Sequence, residues 1–139
     1  MTRNNDLARK VRKLAEQRQL CSYMNDTKWN ELRDAMLNEM PFQPAFTVKF
    51  IFDRNEPDLS GIISDVSGDW YYGLSIDREC FNAFFAIEWV KIRPWYMKKR
   101  GALISDEKVD ASRELEYLLK KYNIPYETEN GVYCIYGYR

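Results

Sequence analysis

A change of period between residues 40 and 46 constrains this chain more than any other feature in it. Before it, Trp29, Leu32, Met36 and Met40 recur at i, i+3, i+7 and i+11, which is one face of a helix. After it, Phe46, Val48, Phe50 and Phe52 alternate with Thr47, Lys49 and Ile51, the two-residue period of a strand. Pro41 and Pro44 stand between the two patterns and end the helix. A sequence that switches period in this way must lay helices against a sheet.

The remaining elements extend that reading. Residues 6–18 predict a first helix on Leu7, Val11 and Leu14, widened by Ala8 and Ala15, with Asn4, Asn5 or Asp6 as its cap. Asp26 or Thr27 is expected to cap the second. Residues 53–58 are a loop by composition. Residues 61–66 and 69–76 suggest a hairpin across Ser67-Gly68, and residues 83–92 a strand or a short helix, the alternation favouring the strand, stopped by Pro94. Ser105 is the expected cap of a third helix, with Asp106 and Glu107 in its first turn and Ala111, Leu115, Leu118, Leu119 and Tyr122 on its apolar face. Asn130-Gly131 between residues 126–129 and 132–136 is a type I′ hairpin signal. The expected fold class is α+β: two N-terminal helices, a mainly antiparallel sheet of five to six strands, one long helix in the C-terminal half and a final β-hairpin. Trp29, Leu32, Met36, Phe46, Val48, Phe50, Leu115, Leu118 and Leu119 are its expected core.

The 139 residues suit residues 1–23 as a basic helical extension and 24–139 as a single α+β domain. No run of 18 apolar residues and no secretory pattern at the N-terminus is present, so a cytoplasmic location and no membrane partner are expected. The chain has no histidine. That removes Ser-His-Asp and Cys-His catalysis and His-ligated metals. Cys21, Cys80 and Cys134 are widely spaced with no CxxC pair, which fits reduced thiols. Cys80 follows Arg78, but Asp77 and Glu79 oppose a lowered thiol pKa and no base accompanies it. Residues 53–58 begin like a calcium loop, yet Pro57 and Asp58 fall where an acceptor and glycine belong and Ser64 where an acid belongs. No phosphate-binding glycine loop exists. No catalytic residue, metal or cofactor is therefore expected.

Charge sums to zero but is segregated. Residues 1–22 carry six basic residues against two acids, 53–79 carry seven acids against two arginines, and 80–104 carry five basic residues against Glu88. The acidic segment is interleaved with aromatics: Asp65, Asp69, Trp70, Tyr71, Tyr72, Asp77 and Glu79. Rigid rings supply contact area and acids steer a basic partner, so these seven are the expected partner-binding residues. Trp70 and one of the tyrosines should nevertheless be core. Two other readings stand beside this one. The basic first helix (Arg9, Lys10, Arg12, Lys13) and residues 91–100, with Trp95 and Tyr96, could bind nucleic acid. Asp65, Asp69, Asp77 and Glu79 could hold a carboxylate pair for hydrolysis, which depends on their separation.

Asn25-Asp26-Thr27-Lys28-Trp29, Gly68-Asp69-Trp70, Ile87-Glu88-Trp89 and Ile135-Tyr136-Gly137-Tyr138 resemble an uncharacterised family of small bacterial proteins with an N-x-T-K-W helix start and an I-E-W strand. That resemblance spans residues 24–138 and implies no known activity. Size, acidic aromatic segment and lack of catalytic groups are also similar, at the level of class, to immunity proteins of bacterial toxin systems. The similarity implies a non-enzymatic protein that binds and neutralises a cognate toxin, of which a basic nuclease is one kind.

Overall fold

The computed structural model of the chain describes residues 2–54, 56–57, 68–71, 73–74 and 83–139. Two helices come first, α1 (Thr2–Gln17) and α2 (Asp26–Asn38). The Asn25 side chain accepts the Lys28 N–H at 2.8 Å, which places the α2 cap one residue before Asp26. Trp29, Leu32, Ala35 and Met36 form its buried face, in the spacing the sequence predicts. The Glu39 and Met40 N–H groups then both close on the Ala35 carbonyl, just ahead of Pro41. The linker between the helices is tied down as well. Cys21 and Arg139 exchange backbone hydrogen bonds of 3.0 and 2.9 Å, and the Tyr23 N–H reaches the Gly137 carbonyl at 2.9 Å.

The chain continues through β1 (Ala45–Phe50), a 3-10 turn at Phe84–Ala86, β2 (Ile87–Arg93), β3 (Trp95–Lys98), β4 (Glu107–Asp110), α3 (Ser112–Lys121), β5 (Glu127–Glu129) and β6 (Val132–Tyr136). These strands make two antiparallel sheets, β1-β2-β6-β5 and β3-β4, rather than one. The expected class, α+β, is the class observed.

Val90 faces Ile135 and Ile92 faces Tyr133 across β2 and β6, so these four share one sheet face. They join Trp29, Leu32 and Met36 of α2 and Leu115, Leu118 and Leu119 of α3 in a single buried cluster. Each fully buried aliphatic side chain there contributes about 1.5–3 kcal/mol of transfer free energy. Gly137 lets the chain end approach β2 closely, since a Cβ there would lie 2.1 Å from the Ile87 carbonyl oxygen.

Other expectations need correction as well. In β1, Phe46 and Val48 are half-buried against the core while Lys49 and Ile51 are buried. β1 is an edge strand, so Phe46 and Val48, opposite the buried Ile92 and Val90, are only half covered. The register shift that pairs Lys49 with Trp89 but Phe50 with Ile87 leaves Glu88 as an extra residue in β2 that receives the buried Lys49. Phe84–Ala86 is a 3-10 turn ahead of the strand expected at 83–92. The described part of the expected hairpin is a turn, in which the Gly73 N–H donates to the Asp69 carbonyl at 2.8 Å; residues 61–67 and 75–76 lie outside the described residues. Finally, Ser105 caps nothing. Residues 107–110 pair with 95–98 as a hairpin, and α3 begins only after Asp110, whose carboxylate accepts the Ser112 N–H at 2.8 Å.

Candidate functional site

The acidic aromatic segment has three expected site residues within the described chain. Asp69 is exposed, and its Oδ1 accepts the Tyr71 N–H at 3.2 Å, an Asx-type turn that fixes the following ring. Trp70 is fully buried. Its indole N–H donates to the Pro44 carbonyl at 2.8 Å and its ring lies 4.2 Å from that of Phe46. Tyr71 points the other way and is 65% exposed. The structure therefore brings an acid and an aromatic ring together at the surface and places Trp70 in the core, where it cannot touch a partner. Asp65, Tyr72, Asp77 and Glu79 lie outside the described residues. The separation of the proposed carboxylate pair falls with them, as does Cys80.

A second cluster was not singled out from the sequence. Glu88, the bulged residue of β2, is buried between Arg18 and Lys49. Arg18 donates to both carboxylate oxygens, at 2.7 and 3.2 Å, and Lys49 to Oε1 at 2.7 Å. Burial alone would raise the Glu88 carboxyl, but hydrogen bonds from Arg18 and Lys49 outweigh it and hold the group below its ordinary value. The cluster ties the chain just after α1 to the sheet, alongside Val11, which is itself buried. A usable signal was present: Glu88 is the lone acid among Ala86, Ile87, Trp89 and Val90, and Lys49 a lone cation between Val48 and Phe50. Both cations are consumed by Glu88, so the arrangement binds structure rather than substrate.

The sheet face opposite the helices carries Trp89, Lys91, Val132, Cys134 and Tyr136. A concavity of about 250 Å³ lies there, lined by Lys91, Glu129, Val132, Cys134 and Tyr136 among others. Its chemistry is quiet. Burial pushes the Cys134 thiol up, which keeps it protonated. Burial and a hydrogen bond to that thiol push the Tyr136 hydroxyl up to about 12. Lys91 sits 4.5 Å from the Trp89 ring centre. Among the described residues no three carboxylates or thiols converge as metal ligands.

The basic surfaces divide differently. Arg9, Lys10, Arg12 and Lys13 are all exposed on α1, as a phosphate-tracking helix requires. The aromatic partners expected in the 91–100 segment are engaged elsewhere. Arg93 and Lys108 each lie 4.8 Å from the Trp95 ring centre, and Tyr96 packs edge-on against Phe42 at 4.9 Å. Those rings have little face left for base stacking.

A family model described as "Family of unknown function (DUF6678)" matches residues 11–139. The match starts inside α1 and so takes in Val11 and Arg18 as well as the sheet. No curated protein and no solved structure matches the chain.

Proposed function

The chain belongs to this family of unknown function, and we propose that it is a non-enzymatic binding protein of the immunity type, acting in the cytoplasm on a cognate, basic toxin. The observation that carries the reading is the Asp69–Trp70–Tyr71 turn. A tryptophan anchored in the core holds an exposed tyrosine and an exposed carboxylate in fixed relation to each other. Interfaces use such a ring as a rigid anchor, at low entropy cost, with acids steering the approach. Asp65, Tyr72, Asp77 and Glu79 complete the proposed surface by their place in sequence. The absence of histidine and the protonated Cys134 favour binding over catalysis.

The test is co-purification from the native host with the product of the neighbouring gene, followed by a toxicity assay. Expression of the chain should rescue cells producing that neighbour, and Tyr71→Ala with Asp69→Lys should reduce the rescue. A neighbour that neither binds nor harms cells would end the immunity reading.

A further inference from the structure

The β3–β4 hairpin stands apart from the main sheet, and its outer end has a composition that the proposed binding surface does not use. Residues 98–108 are all exposed. At the turn, Leu103 is 101% exposed and Ile104 56%, the most exposed aliphatic pair among the described residues. The turn is nevertheless ordered by its own bonds. Gly101 takes φ 138°, a conformation open to glycine, and Arg100 Nε donates to the Ser105 carbonyl at 3.0 Å. The base is equally fixed. The Ala111 N–H donates to the Pro94 carbonyl at 2.7 Å, Arg93 Nε donates to the Trp95 carbonyl at 3.1 Å, and Lys108 covers the Trp95 ring. The arm thus holds two aliphatic side chains in water.

Lys98, Lys99 and Arg100 precede the tip, and Asp106 and Glu107 follow it. Glu107 is opposite Lys98 in the register, so the surplus of positive charge lies beside the tip.

We propose that the β3–β4 hairpin is a peripheral membrane-docking arm, its Leu103-Ile104 tip entering the headgroup boundary of an anionic bilayer while Lys98, Lys99 and Arg100 lie against the lipid phosphates. A convex tip of two side chains is far smaller than the roughly 800 Å² per partner that a specific protein interface buries. A fluid lipid surface asks for no complementary pocket. No helix among the described residues is long and apolar enough to cross a membrane. Resting on a bilayer is a different matter from crossing one.

The test is co-sedimentation of the full chain with vesicles of phosphatidylcholine alone and of phosphatidylcholine with about one-third phosphatidylglycerol, the anionic surface that attracts basic residues. Binding should be reversible, confined to the anionic vesicles and weakened by salt. Each basic residue at an anionic surface strengthens binding about fivefold, so Lys98→Gln with Lys99→Gln should weaken it about 25-fold. Leu103→Ser with Ile104→Ser should weaken it about tenfold or more. All four positions are exposed, and unchanged circular dichroism melting shows that the fold is kept. Arg12→Gln with Lys13→Gln on α1 should change binding less than twofold. Failure of the native chain to bind anionic vesicles at low salt overturns the proposal. So does equal binding by the tip variant, or a loss on α1 that matches the loss on the arm. Retention on duplex DNA through the same arm residues, without vesicle binding, would assign the arm to nucleic acid instead.

Discussion

The Glu88 carboxylate meets two cations, Arg18 and Lys49, in a place that water barely reaches. Moving a carboxylate and an ammonium group out of water costs several kcal/mol each, which only close pairing offsets. Removing the acid leaves Lys49 buried without its partner, so Glu88→Ala should cost about 3–5 kcal/mol in urea denaturation. Arg18→Ala should cost less, because Arg18 keeps 42% of its side-chain surface in water and is screened there. The pH dependence follows from the direction of the shift. The folded carboxyl titrates below the unfolded value of 4.5, so the folded chain binds fewer protons near that pH. Its stabilisation is complete above about pH 5 and is lost as pH falls through the lower folded value. Thermal melting followed from pH 6 to pH 3 should show this loss in the native chain and a flatter profile in Glu88→Gln. Trp70 and Tyr71 make the opposite pair of neighbours. Trp70→Ala should cost about 3–5 kcal/mol, as for other buried aromatics. Tyr71→Ala should cost far less, because the residue is 65% exposed.

At the level of elements, the start of α3 shows what one sequence can hide. Ser105-Asp106-Glu107 has the composition of a capped first turn. The apolar stripe, however, begins at Ala111, and upstream only Val109 could have extended it. Val109 instead pairs with Tyr96, Glu107 with Lys98, and Lys108 covers Trp95, so contacts distant in sequence decide the segment. Ser105→Ala should therefore leave stability within about 0.5 kcal/mol, whereas Asp110→Ala should cost about 1 kcal/mol, since it removes the carboxylate that accepts the Ser112 N–H and hydroxyl. A thermal melt of the two variants separates the assignments. Elements with local causes were legible. The α2 period, the Asn123 stop and the Asn130-Gly131 turn all stand, the last two with φ of 56° at Asn123 and 54° and 78° through the turn. The Glu88 bulge was not, because its cause is a register between strands far apart in the chain. The same limit applied to the site. Acid and aromatic composition pointed to residues 65–79 and to Trp70 as core, but which tyrosine stays at the surface was open until the fold left Tyr71 exposed.

Across the whole molecule, charge is balanced in sum and unbalanced in place. Such a distribution steers partners by their approach rather than by net attraction. The acidic turn and the basic α1 cannot both lead the same partner, so their kinetic signatures differ. If the proposed surface operates, Asp69→Lys should slow association and flatten its dependence on salt, since rim charges act on encounter. Tyr71→Ala should leave association nearly unchanged and speed dissociation, at a cost of at least about 2 kcal/mol, as an anchor does. Reversing Arg9, Lys10, Arg12 and Lys13 should affect neither rate by much. Surface plasmon resonance with the captured partner at two salt concentrations distinguishes these outcomes. Unchanged rates for the Asp69 and Tyr71 variants, with slower association for the α1 variant, would move the interface to the basic helix. That helix would then also have to retain single-stranded or duplex nucleic acid at low salt for the nucleic-acid reading to replace the protein one, with affinity falling steeply as salt rises.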